Sequence, residues 1–63
     1  LRSHKIIEVE NPALHLPYNN RGNAKRKLGK YQEAIADYNQ AIKLKPDYAD
    51  AYNNRGSAKY DLK

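Results

Sequence analysis

The sequence predicts an all-α protein built of antiparallel helix-turn-helix repeats. Three observations carry that prediction. First, Tyr18-Asn19-Asn20-Arg21-Gly22 returns as Tyr52-Asn53-Asn54-Arg55-Gly56, 34 positions later, and Ala24, Lys25 and Leu28 return as Ala58, Lys59 and Leu62. A period of this length suits two helices and two short turns and is too long for one helix or hairpin. Second, Tyr31, Ala34, Ile35, Tyr38, Ala41 and Ile42 are spaced in steps of three and one, which trace one face of a helix. Third, Gly29, Pro46 and Pro12 stand where helices would end or turn, and Pro12 and Pro46 share the same interval.

The elements follow in order. Pro17 fits the first turn of a helix near 17–28, where its missing N–H removes no intrahelical bond. Gly29 supplies the stop. The second helix spans 31–44, and Lys43 and Lys45 complement its carbonyl-rich end before Pro46. Asp47 is placed to cap a third helix over 48–62, with Asp50 in its first turn. Gly22 and Gly56 fall mid-helix, where glycine is disfavoured by about 1 kcal/mol relative to alanine. Their recurrence at one phase points to close helix approach. Ala34, Tyr38 and Ala41 are expected to face Tyr18, Gly22 and Lys25.

These residues resemble the tetratricopeptide repeat (TPR). The resemblance rests on Tyr18-x2-Arg21-Gly22-x-Ala24, Leu28-Gly29-x-Tyr31-x2-Ala34-Ile35, Tyr38, Ala41-Ile42 and Leu44-x-Pro46, and covers about 12–63. It implies helix pairs stacked into a right-handed superhelix. Residues 12–47 then form one helix pair, and 48–63 the first helix of a following, incomplete repeat. Residues 1–11 do not fit the repeat and are read as an irregular N-terminal segment; His4, Glu8 and Glu10 fall on positions that packing would fill. The family carries an aromatic where Lys25 and Lys59 stand and often a hydrophobe at Arg21 and Arg55. Their alkyl stems are expected to cover apolar surface while the charges reach water.

Composition bounds the function. The 63 residues hold 12 basic and 7 acidic side chains, a net charge of +5, and no cysteine. A domain of this size buries only about 60% of its unfolded surface. Without cysteine it has neither disulfide staples nor a thiolate metal site. No apolar run is long enough for a membrane span. The first residue is Leu rather than Met, so the sequence is expected to be a piece of a longer chain. Ser3 and Ser57 lack an apparent base beside them, so no nucleophile is activated. His4 and His15 lack further ligands at a metal-binding spacing. No catalytic residue, metal or cofactor is expected.

Arg21, Lys25, Arg26, Lys27 and Lys30 fall within 21–30 without an acid among them. Such a cluster makes nucleic-acid binding the alternative function, one whose affinity would fall steeply with salt. Basic residues near a helix C-terminus are also ordinary complements of its dipole, and the Tyr residues occupy repeat packing positions. The basic face is therefore read as a solvated one.

The resemblance favours a non-catalytic protein-interaction scaffold. In the family, the first helix of each unit lines a concave groove for peptides or partner proteins. The matching candidates are Asn19, Asn20, Asn23, Arg26, Lys27, Asn53, Asn54 and Ser57. Asn is a poor residue in helix interiors, and its carboxamide both donates and accepts, so it suits a peptide backbone. Some members clamp a C-terminal carboxylate with two Asn and several cations. Asn23 and Asn54 match the two Asn positions, but Asn19 stands at the first Lys. The full clamp is not expected. The helix Tyr48–Leu62 has no second helix following it, so self-association through its side bearing Tyr52, Gly56, Lys59 and Leu62 is expected.

Overall fold

A computed structural model describes residues 12–62. A single 3-10 turn, Pro12–Leu14, leads into α1 (His15–Lys27), α2 (Tyr31–Leu44) and α3 (Ala49–Leu62). Among the described residues there is no strand. The expected segment 1–11 lies outside the described residues. The helices begin and end within two residues of the spans read from the sequence.

The turn between α1 and α2 is set by Gly29, whose φ is +81°. The Lys30 N–H reaches the Lys25 carbonyl at 2.9 Å and the Gly29 N–H reaches Arg26 at 3.0 Å. This paired pattern satisfies the last carbonyls of α1 and requires a left-handed residue at that place. After α2, the Tyr48 N–H bonds the Lys45 carbonyl at 3.0 Å. Asp47 lies two residues before the first residue of α3, and its carboxylate accepts from Lys45 Nζ at 3.0 Å. The His15 ring meets the Tyr48 ring edge-on at 4.9 Å, tying the start of α1 to the α2–α3 turn.

α2 packs against α1 on one side and α3 on the other. Its buried face is Ala34, Asp37, Tyr38 and Ala41. Two small clusters form the core. In one, Ala34 and Tyr38 meet Ala58, with Ile35 beside them. In the other, Ala41, Tyr48 and Ala51 pack with Tyr18 and Ile42. Tyr38 is the largest side chain fully out of water, and its ring fills the space that Gly22 leaves. A Cβ on Gly22 would stand 2.6 Å from Tyr38 Cε1. Tyr38 thus faces Gly22 and Ala41 joins Tyr18 as expected, whereas Ala34 sits in the cluster that reaches α3.

The charges of Arg21 and Lys25 meet acids of α2, with the Arg21 side chain still 58% exposed to water. Arg21 donates from Nε to Asp37 Oδ2 at 2.9 Å and from Nη2 to Oδ1 at 2.7 Å. Lys25 Nζ lies 3.5 Å from Asp37 and 3.4 Å from Glu33. Asp37 is buried, and a buried carboxylate persists when cations and donors surround it. Hydrogen bonding from Arg21 outweighs burial and holds its carboxyl below the ordinary value. The hydrophobe and aromatic of the family pattern are replaced here by an ion-pair cluster that serves the same α1–α2 contact.

Candidate functional site

An open cleft of about 550 Å³ lies beside α3, lined by Arg26, Tyr52, Asn53, Gly56, Ser57, Tyr60 and Asp61. Helix periodicity explains the α3 wall: positions 53, 57 and 60 share one side, and 52 and 56 the next. Arg26 enters from the last turn of α1, where its Nε stands 3.9 Å from Asp61 Oδ2. The cleft therefore brings together three expected site residues, Arg26, Asn53 and Ser57.

Asn19 and Asn54 form a second meeting point. Asn54 Nδ2 donates to Asn19 Oδ1 at 3.1 Å, linking α3 to α1, and Asn19 is buried. The bond uses only the oxygen of Asn19 and one N–H of Asn54, leaving the Asn19 NH2 group and the Asn54 carbonyl outside it. Asn23 is engaged differently, its Oδ1 accepting the Tyr38 hydroxyl at 2.6 Å. Asn20 and Lys27 are exposed on α1 and do not line the cleft. Two of the four recurring carboxamides thus hold helices together, while Asn20 and Asn53 face water.

Tyr52, Gly56 and Asp61 were not singled out as cleft residues by sequence. Asp61 had one legible signal, an acid 35 positions after Arg26, one step off the repeat. Leu62, expected on the open side of α3, is exposed and borders a pocket with Gly29, Lys30, Tyr31, Gln32 and Glu33.

The basic cluster is partly neutralised by folding. Arg21 and Lys25 meet Asp37 and Glu33, and Arg26 meets Asp61. Lys27 and Lys30 make no ion pair among the described residues. No group of three or more His, Cys, Asp or Glu side chains that could hold a metal occurs among the described residues. No helix there is long and apolar enough to cross a membrane.

Comparison with known proteins gives this geometry a family. A family model described as TPR repeat matches residues 22–63. The chain is 39% identical over 51 residues to an Hsp70-Hsp90 organizing protein of Triticum aestivum, covering 81% of this chain and 9% of that protein. It is 34% identical over 58 residues to heat shock protein STI1 of Saccharomyces cerevisiae, covering 92% of this chain and 10% of the relative. To a protein SGT1 homolog of Oryza sativa it is 47% identical over 47 residues, covering 75% of this chain and 13% of the relative. The chain thus spans about a tenth of the length of these relatives. No solved structure matches it. The recurring Tyr-Asn-Asn-Arg-Gly block, the Gly22–Tyr38 contact and the matched family model agree, and the chain belongs to the tetratricopeptide repeat family.

Proposed function

We propose that this chain is a non-catalytic protein-interaction module that holds a peptide or partner protein on the concave side of its first-type helices, α1 and α3. The observation that carries the reading is the open cleft beside α3, where Asn53 and Ser57 face Arg26 between the exposed rings of Tyr52 and Tyr60. Carboxamides and a hydroxyl there suit an extended backbone, and aromatic rings offer apolar contact beside them. Of the other expected residues, Asn20 and Lys27 are exposed on α1, while Asn19, Asn23 and Asn54 are engaged in contacts between helices. The name of one relative, the Hsp70-Hsp90 organizing protein, points to Hsp70 and Hsp90 as the first partners to try.

The test uses the chain with purified Hsp70 and Hsp90. Saturable binding to one of them is expected, weakened about fivefold by Asn20→Ala or Asn53→Ala, the loss of roughly one hydrogen bond of about 1 kcal/mol. Both residues are exposed, so the helical signal should not change. Asn54→Ala is a poorer probe, because it also breaks the link to Asn19. If binding is undiminished in both exposed variants, the groove does not use these carboxamides. If neither chaperone binds while generic RNA does, with affinity falling steeply as salt rises, the nucleic-acid alternative replaces this reading.

Self-association through the Tyr48–Leu62 segment is a second reading. Exposed Tyr52 and Tyr60 on α3 favour it. Light scattering at micromolar concentration decides it: a mass near 7.3 kDa with full helical signal would remove the idea.

A further inference from the structure

α1 and α3 are two copies of one sequence segment, and they differ at particular places. Tyr18 to Gly22 return unchanged as Tyr52 to Gly56, and Ala24 and Lys25 return as Ala58 and Lys59. The kept residues include those that α1 packs against its neighbours, Tyr18, Gly22 and Lys25. In the rest of that half, Asn23 becomes Ser57, Arg26 becomes Tyr60 and Lys27 becomes Asp61. Steps of three and one put 57, 60 and 61 on one side of α3. All three line the cleft, with Arg26 of α1 among them. The repeat is therefore rewritten where it meets the cleft.

The change from Lys27 to Asp61 reverses a charge. Asp61 Oδ2 stands 3.9 Å from Arg26 Nε, and the two side chains are 40% and 32% exposed. That separation is too long for a hydrogen bond, and a pair so open to water adds little to stability. Its effect falls on the cleft instead. Arg26 and Asp61 are the charged residues of the lining, and their charges cancel. Lys27 is exposed beside Arg26 and does not line the cleft. The chain as a whole carries a charge of +5, and a surface of that sign attracts acidic segments wherever a cation stands unanswered.

We propose that Asp61 is a specificity-determining residue: by answering Arg26 it makes the cleft a seat for an uncharged stretch of extended chain and turns acidic segments away. Asn53 and Ser57 supply neutral hydrogen-bonding groups there. The Tyr60 ring, 73% exposed, supplies apolar contact. An acidic side chain entering beside Arg26 meets the Asp61 carboxylate at the same place, so attraction to one is offset by repulsion from the other. A basic side chain meets the same conflict with the signs exchanged. The inference rests on the groove reading and adds to it the charge of the segment held at Arg26.

The probes are two end-blocked peptides of equal length, one Gln-rich and one Glu-rich, each with a central Tyr. They are titrated into the 63-residue chain and followed by NMR through the amides of Asn53, Ser57 and Tyr60. The wild type is expected to bind the Gln-rich peptide at least as tightly as the Glu-rich one. Asp61→Asn should tighten the Glu-rich peptide about fivefold and leave the Gln-rich peptide unchanged. Asp61→Lys, which restores the residue type of α1, should tighten it further. Both gains should shrink as salt rises. Arg26→Gln added to Asp61→Asn should cancel the gain. Both side chains are partly exposed, so the helical signal should persist. Asn53→Ala should weaken both peptides alike. If the preference switches at Asp61 while Asn53→Ala affects neither peptide, the carboxamide reading of the groove fails and this inference stands. A wild type that already prefers the Glu-rich peptide, an Asp61→Asn variant that gains nothing for it, or no shift at these amides in any variant overturns the proposal.

Discussion

Gly22→Leu is expected to lower folding stability by on the order of 2–3 kcal/mol, while Gly56→Leu leaves it unchanged or raises it. The two glycines are equivalent in the repeat and opposite in surroundings. A Cβ at Gly22 would lie 2.6, 2.9 and 3.0 Å from three atoms of the Tyr38 ring. That ring is fully buried and its hydroxyl donates to Asn23, so it has no free volume into which to retreat. Leucine would drive α1 and α2 apart along the more extensive of the two helix contacts that α2 makes. At Gly56 nothing stands within 4 Å, and removing a helical glycine is favourable by about 1 kcal/mol. A small chain has only a few kcal/mol in hand, so Gly22→Leu should be largely unfolded at room temperature. Thermal melts followed by circular dichroism decide the matter, and equal midpoints for the two variants would refute the close-packing account. Asn23→Leu is not a neutral comparison, because it removes the acceptor of the Tyr38 hydroxyl.

Asp37→Asn is expected to destabilise the fold by about 1–2 kcal/mol at neutral pH, with the deficit shrinking in acid. The magnitude is that of charge-assisted hydrogen bonds, lowered because the Arg21 end lies near water. The sign follows from linkage. Hydrogen bonding from Arg21 lowers the folded-state pKa of Asp37 below its ordinary 3.8. Its contribution is therefore fully present above 3.8 and is lost as pH falls through the folded value. The asparagine variant has no proton to bind there. The difference between wild type and variant should stay constant from neutral pH to about pH 5 and then narrow below the ordinary carboxylate range. Urea titrations at pH 7 and at stepwise lower pH measure it. A gap that widens in acid would mean that Asp37 does not carry the network.

Local chemistry explains how much of this fold could be read in advance. Gly29, Pro46 and the spacing of Ala34, Tyr38 and Ala41 act within one or two helical turns, and they placed the helices to within two residues. The meeting of Gly22 with Tyr38 was legible because recurrence exposed an otherwise unfavourable glycine. A bond from Asn54 to the neighbouring repeat was legible as one of two uses of that residue, but the partner of Arg26 was not, since it depends on how α3 crosses α1. Asp37 was legible in principle: it lies three positions after Ala34, on the apolar stripe, with Arg21 and Lys25 in need of an acid. The recurring asparagines misled in part. Their poor helix propensity signalled a purpose, and for Asn19 and Asn54 that purpose includes joining one repeat to the next.

The Asn19–Asn54 link has a direction. Asn54 is the second asparagine of its pair and gives a hydrogen; Asn19 is the first of the earlier pair and receives it. By the 34-residue register, Asn20 corresponds to the giving Asn54 and Asn53 to the receiving Asn19. A module with unlike ends of this kind has a polarity, as a strand of nucleic acid does. Units joined by this rule translate and rotate in one sense only. The carboxamide pair therefore gives the α1–α3 contact an order along the chain as well as strength.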